Sequence, residues 1–288
     1  MGETQTKPVT INQAIQNALE EGATAVLITL VSADLPLVVG NKLFIKETGD
    51  RLGDLGDSDL NQLVANQVGQ FLNSREEARL FRAHDIAPHL GKLTSVTFLF
   101  ERIEGEPRLV IAGAGHVGAS LARLAALSRY HVTLIDDRPE FVNRDAFASI
   151  SEKTIELVLA HDWGESVRTS IGNGRGVSVA IVTRGHKQDE DCLRATIEAH
   201  PDYIGMIGSK RRTNIVLDKL REEGADEEKL RQVRAPIGLD IGAVSPEEVA
   251  LSILAEIVAA RRGASGHPLS EWRRTPHTHK EAFIDEGT

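Results

Sequence analysis

Three glycines, Gly113, Gly115 and Gly118, carry the clearest chemical signal in this 288-residue chain. They lie in "RLVIAGAGHVGASLA", residues 108–122, spaced G-x-G-x-x-G after an apolar run and before a helical pattern. Gly113 permits a tight strand-to-helix turn, Gly115 lets backbone approach a phosphate, and Gly118 lets the helix pack on the strand. Free N–H groups at such a helix start favour an anion. Asp136 closes the following strand 18 residues after Gly118, where an acid commonly meets a ribose hydroxyl; Asp137 beside it leaves the assignment open by one residue. His116 within the turn can touch a ligand phosphate or cap the helix, and the turn can also pack with no ligand at all.

Further polar clusters follow other apolar runs. After "AIVT" comes "RGHKQDED", with Arg184, His186, Lys187 and Asp189. After "YIGMIG" comes "SKRR", where Ser209, Lys210, Arg211 and Arg212 lead into a helix and can receive an anionic group together, or can form a solvated face paired with nearby acids. His161 and Asp162 offer one more contact after a third run. Cys192 reads as a small apolar side chain, with sulfur carriage as the alternative. The G-x-S-x-G, H-E-x-x-H, C-x-x-C and G-x-x-x-x-G-K-[ST] patterns are absent, so no catalytic residue and no metal ligand is assigned.

These residues need elements to hold them, and the pattern changes near residue 104. Residues 1–104 read as a small α+β domain: a helix from Thr10 to Glu21, strands at "TAVLITLVS" and "LPLVVGNKLFIKE", a helix from Ser58 to Asn73 and a strand at "SVTFLFERI". The polar "EGEPR", residues 104–108, reads as a linker. Residues 105–263 alternate short apolar runs with helices near 117–128, 188–200, 210–223 and 246–262, which predicts an α/β, Rossmann-like parallel sheet with helices on both faces. Ser245, Pro246 and Glu248 form a capping box with proline at the first helical position. Residues 264–288 read as a polar arm whose His267, His277 and His279 are too sparse for a metal site.

Composition narrows the function classes. Acidic residues outnumber basic ones by 42 to 33, a formal charge of -9, which argues against a nucleic-acid binder. A single cysteine excludes an internal disulfide framework and fits a reducing compartment. No apolar run reaches the roughly 20 residues that span a bilayer, and "MGETQTKPVT" lacks the core of a secretory signal, so a cytoplasmic protein is expected. "MGETQT" fits the myristoylation pattern only as short stretches do by chance.

Four blocks resemble successive signatures of the XdhC/CoxI family, the accessory factors of xanthine dehydrogenase and related molybdenum hydroxylases. They are "LVIAGAGHVGASLARLAALSRYHVTLIDDRPEF", "VTRGHKQDEDCLRATI", "YIGMIGSKRR" and "APIGLDIGAVSPEEVALSILAEIVAARRG", in the family's order over residues 107–263. The resemblance implies a chaperone that binds the molybdenum cofactor, as molybdopterin or its cytosine dinucleotide, protects it, and delivers it to the apo-hydroxylase. A cysteine desulfurase is an implied partner, and a homodimer the implied assembly. Carried over by motif, the ligand contacts are Gly113, Gly115, His116 and Gly118 in the turn, Asp136 and Arg138 in D-x-R-P, Arg184, Gly185 and His186 in R-G-H, and Gly208, Ser209 and Lys210 in the G-S turn. The first domain departs from the family: its G-S-[ST]-P-R and G-G-C-x-E segments correspond here to "VSADLPLVVG" and "LGDLGDSDLNQLV", with Ser58, Asp59 or a neighbour at the cysteine's place. An NAD(P)-dependent oxidoreductase and a nucleotide-sensing regulatory binding protein are the alternative readings.

Overall fold

The computed structural model describes residues 9–33, 37–74, 76–86, 96–151 and 153–270. Residues 271–288, with His277 and His279, and residues 1–8 lie outside them, as do residues 35–36 of the expected second strand.

The first part is an antiparallel sheet ordered β3-β2-β1-β5-β4, from β1 (Ala25–Ser32), β2 (Lys42–Lys46), β3 (Arg51–Gly53), β4 (Ala78–Arg82) and β5 (Thr97–Ile103). Alternation along β1 explains how it is covered. Val26, Ile28 and Leu30 face one side, where Leu60, Val64, Val68 and Phe71 of α2 (Ser58–Leu72) meet them; Ala25 and Leu27 face the other, against Ala14 and Ala18 of α1 (Ile11–Glu21). The expected strand from Leu35 to Glu47 is shorter. Leu30 donates to the Asn41 carbonyl and accepts from the Gly40 N–H, so the chain turns there and β2 begins only at Lys42. The short α3 (Ala83–Ile86) follows β4.

The second part is an all-parallel sheet ordered β10-β9-β6-β7-β8. Its strands are β6 (Arg108–Ala112), β7 (His131–Asp136), β8 (Ile155–Leu159), β9 (Val177–Ile181) and β10 (Tyr203–Met206). On one face, α4 (His116–Leu127) and α9 (Pro246–Arg261) pack on Leu109 and Ile111. On the other, α5 (Trp163–Ile171), α6 (His186–Ala199), α7 (Lys210–Glu222) and α8 (Glu227–Gln232) pack on Val110 and Ala112. Both faces of β6 are thus covered, as its unbroken apolar run requires.

The segment read as a linker is fastened at both ends. Arg108 already belongs to β6, and the Glu104 carboxylate accepts from Arg261 of α9 through Nε at 3.0 Å and Nη2 at 2.6 Å. Ser245 and Glu248 close the expected capping box at the start of α9.

Candidate functional site

The strand order places a topological switch between β6 and β9. These strands are neighbours, yet α4 and α6, which follow them, cross to opposite faces, and their ends diverge around a crevice. A cleft of about 400 Å³ lies there. The β6 turn lines it with Gly113, Gly115 and His116, the end of β7 with Asp136, Asp137 and Arg138, and the end of β9 with Thr183 and Arg184. Gln188, Gly208, Arg212, Trp163 and Pro246 complete much of the wall.

Each glycine of the turn has its own physical reason. Gly113 has φ +113°, and a Cβ there would sit 2.6 Å from the Val182 carbonyl oxygen. At Gly118 a Cβ would overlap the Gly113 carbonyl oxygen, so this glycine serves helix-on-strand packing rather than the cleft. Gly115 differs from both: nothing lies within 4 Å of where its Cβ would be, and the open space is the cleft itself.

Gly115 is also the N-cap of α4 and Gly185 that of α6, and neither helix start receives a side-chain bond. Helices α1, α2, α5, α7, α8 and α9 are capped by Thr10, Asp57, Asp162, Ser209, Asp226 and Ser245. The two helices flanking the switch point therefore keep first-turn N–H groups without side-chain partners, and with them the positive end of the helix dipole. His116 is the first residue of α4 and lines the cleft beside Gly115.

Asp136 is committed inside the protein. It is 1% exposed; its carboxylate accepts the Ala114 N–H at 2.7 Å, the Arg138 N–H at 3.1 Å, and Arg138 Nε and Nη2 at 2.8 and 3.0 Å. Burial pushes this carboxyl up, but the Arg138 guanidinium and the two backbone N–H groups outweigh it and hold it below the ordinary carboxylate value. Asp136 thus braces the glycine turn, and Asp137 is the acid of this strand end with an accessible carboxylate, 3.7 Å from Arg184. Arg138 lies with its guanidinium carbon 3.6 Å from the Phe141 ring centroid. Asp136→Asn is expected to cost about 2 kcal/mol near neutral pH, because the charge-assisted bonds become neutral ones. A depressed carboxyl stabilises the fold above its unfolded pKa and loses that contribution as pH falls through its folded pKa, so urea midpoints of the two proteins should converge below roughly pH 4.

The other expected contacts divide. Arg184 and Gly208 border the cleft with the turn residues; Gly185 and His186 form the start of α6 beside it. Ser209 is used as a cap, its Oγ accepting the Arg212 N–H at 3.3 Å, while Lys210 is an exposed first residue of α7 outside the cleft wall. His161 and Asp162 are placed in a separate groove along β8, and Asp162 caps α5 by accepting the Glu165 N–H at 2.7 Å. Asp189, read as part of a polar strand-end cluster, is fully buried and bonded to Thr183 and Arg212. Trp163, Gln188 and Pro246 carry no contact signal in the sequence; each is the first or third residue of a helix whose start only the tertiary fold brings to the cleft.

Cys192 faces the apolar layer beneath α6 and is fully buried; burial pushes its thiol far up, and the nearby carboxylates of Asp189, Asp191 and Asp162 add to the effect. Such a thiol is not a nucleophile. Iodoacetamide is expected to leave the native protein unlabelled at pH 8 and to label one site after denaturation, read by mass spectrometry. In the first sheet, the place corresponding to the family's cysteine is a capped helix start: Asp57 Oδ1 accepts the N–H groups of Asp59 and Leu60 at 2.8 and 3.0 Å. Among the described residues, no cluster of three or more His, Cys, Asp or Glu side chains is arranged to hold a metal.

Comparison with known proteins agrees with this geometry. The model of the XdhC Rossmann domain matches residues 109–257. The chain is 30% identical over 234 residues to the uncharacterized protein YqeB of Escherichia coli (strain K12), covering 78% of this chain and 41% of that one. It is 29% identical to a probable xanthine dehydrogenase component of Bacillus subtilis (strain 168), covering 61% and 48%. It is 30% identical to the molybdenum cofactor insertion chaperone PaoD of E. coli (strain K12), covering 54% and 40%. The matched part spans less than half the length of each of these relatives. The fold is shared with the crystal structure of a xanthine dehydrogenase from Bacillus halodurans, with a TM-score of 0.63 at 19% identity, over 94% of this chain and 72% of that one. With more than half of its length matched by the domain model, and that match coinciding with the parallel sheet and its glycine turn, the chain belongs to the XdhC family.

Proposed function

We propose that this protein binds the molybdenum cofactor as cargo in the switch-point cleft, protects it, and delivers it to a molybdenum hydroxylase of the xanthine dehydrogenase type. The observation that carries the reading is the bare turn at Gly115. It opens the unpartnered first turn of α4 onto the cleft with no side chain in between, which is what an entering phosphate needs. Molybdopterin has one phosphate, and its cytosine dinucleotide a pyrophosphate and a ribose; the cleft-lining carboxylate of Asp137 supports a ribose contact. The likeness to PaoD, named for insertion of this cofactor, supports the cargo. A carrier needs this grip without hydride chemistry.

A cytoplasmic homodimer that works with an apo-hydroxylase, and with a cysteine desulfurase for sulfur installation, completes the reading. Among the described residues no helix is long and apolar enough to cross a membrane. Anaerobic binding of freshly released molybdenum cofactor, with NAD, NADP and cytidine nucleotides as competitors, tests the proposal. Binding that Gly115→Asp removes is the expected result; tight NAD binding without cofactor binding would overturn it in favour of an oxidoreductase.

A further inference from the structure

We propose that Arg212, oriented from below by the buried Asp189, is a second anion-recognising group of the cleft, so that the bound molecule carries two separated negative groups, one on the α4 turn and one at Arg212. The inference rests on the cleft being the cofactor site, and it adds a requirement on the ligand.

The two positions are set apart by the sheet. The α4 turn follows β6 and Arg212 follows β10, with β9 between them, so their strands stand two spacings apart, roughly 10 Å. One phosphate at the first position leaves the second to another group.

Arg212 is held in a way that fits this task. Asp189 is fully buried in the first turn of α6. Its Oδ1 accepts from Thr183 Oγ1 at 2.5 Å, which stops the carboxylate from turning; its Oδ2 accepts from Arg212 Nε at 2.9 Å and also from Nη2. A guanidinium has five N–H donors in a rigid fork, so these two bonds leave three, on Nη1 and Nη2. The arginine side chain is 25% exposed while its partner is buried, and it borders the cleft while Asp189 does not. Were neutralising Asp189 its whole role, an apolar pair would fill the same volume at no desolvation cost.

Gly208 supports the same geometry. A Cβ there would lie 3.2 Å from Thr213 Cγ2 and 3.4 Å from Arg212 Cδ, so this cleft-lining turn runs directly against the arginine stem. The remaining donors suit two oxygens of a tetrahedral or planar oxyanion, as phosphate, carboxylate and oxometallate groups offer.

Asp189→Asn/Arg212→Gln replaces the ion pair by two amides, leaves no buried charge unpaired, and is compared with Gly115→Asp and with the combination. Inorganic phosphate, titrated by 31P NMR, is expected to saturate the wild type at two equivalents, each variant at one, and the combination at none. Freshly released molybdenum cofactor is expected to bind Asp189→Asn/Arg212→Gln about 10- to 100-fold more weakly, the loss of a charge-assisted bidentate contact. Asp189→Asn alone, which keeps the guanidinium but loosens it, should lose several-fold, making Asp189 a positioning residue. If Asp189→Asn/Arg212→Gln matches wild type in phosphate equivalents and cofactor affinity while Gly115→Asp abolishes binding, the role of Arg212 is overturned and the cleft reading stands. If neither changes binding, both fall together.

Discussion

Gly115→Asp is expected to abolish binding of the molybdenum cofactor while moving the melting temperature by only a few degrees. The fold has room for the change: no atom lies within 4 Å of the new Cβ, and the Gly115 backbone, at φ -63° and ψ -173°, suits any residue. Aspartate is a favoured N-cap, so its carboxylate can accept the free N–H groups of the first turn of α4 and stabilise the helix by up to about 1 kcal/mol. That gain is the reason for the loss. The variant carries its own anion in the place that a phosphate would take, and repels a second one. A loss of at least about 100-fold in affinity is expected, with Gly115→Ser, a neutral cap, falling between variant and wild type. Equilibrium binding beside a thermal melt separates the effects; an unchanged affinity would remove the α4 turn from the site.

Arg212→Ala is expected to be the most destabilising change among the polar residues of the cleft, at about 3 kcal/mol. It strands the Asp189 carboxylate, which is fully buried and keeps only Thr183 as a side-chain partner. Burial pushes this carboxyl up, against the pull of Thr183 and Arg212; without the arginine, it folds with a proton in place or pays for an unpaired charge. The lower end of the usual range applies because Arg212 itself is 25% exposed and water can partly replace it. Urea midpoints measure the loss, and adding Asp189→Asn should recover most of it. A double variant no more stable than Arg212→Ala would show that the arginine stem's packing, not charge, sets the cost.

How far the sequence reveals this molecule depends on how local each cause is. The five strands of the parallel sheet are legible because each reads as a short apolar run, continuous in β6, β9 and β10, which are buried on both faces; α9 is legible from its capping box and proline. Strand β4, "ARLFR", escapes because it lies at the sheet's edge with Leu80 exposed beside Phe81, so no alternation marks it. Helix α5 escapes because its buried Val167 and Ile171 are few and its cap, Asp162, also reads as a ligand. The glycine turn is legible as a tight strand-to-helix turn since its cause is backbone geometry within a few residues. The work of Asp136 and Asp189 is not. Their partners Ala114 and Arg212 are 22 and 23 residues away, and only the sheet brings them into bonding distance.

The packing of α9 on α4 has a consequence for how the protein is made. Leu121, Ala122 and Ala125 of α4 share one apolar layer with Ile253, Leu254 and Ile257 of α9, yet about 120 residues of chain separate the two helices. At about 5–20 residues per second of translation, α4 waits roughly 6–24 s for its cover. During that interval α4 lacks the cover of α9, and Pro246, part of the cleft wall, has not been synthesised. A nascent chain that ends before Pro246 therefore has an incomplete cleft wall. The second part is fastened only once Arg261 has emerged and reached Glu104, so the clasp between α9 and the segment before β6 forms late in synthesis, after every strand of the parallel sheet.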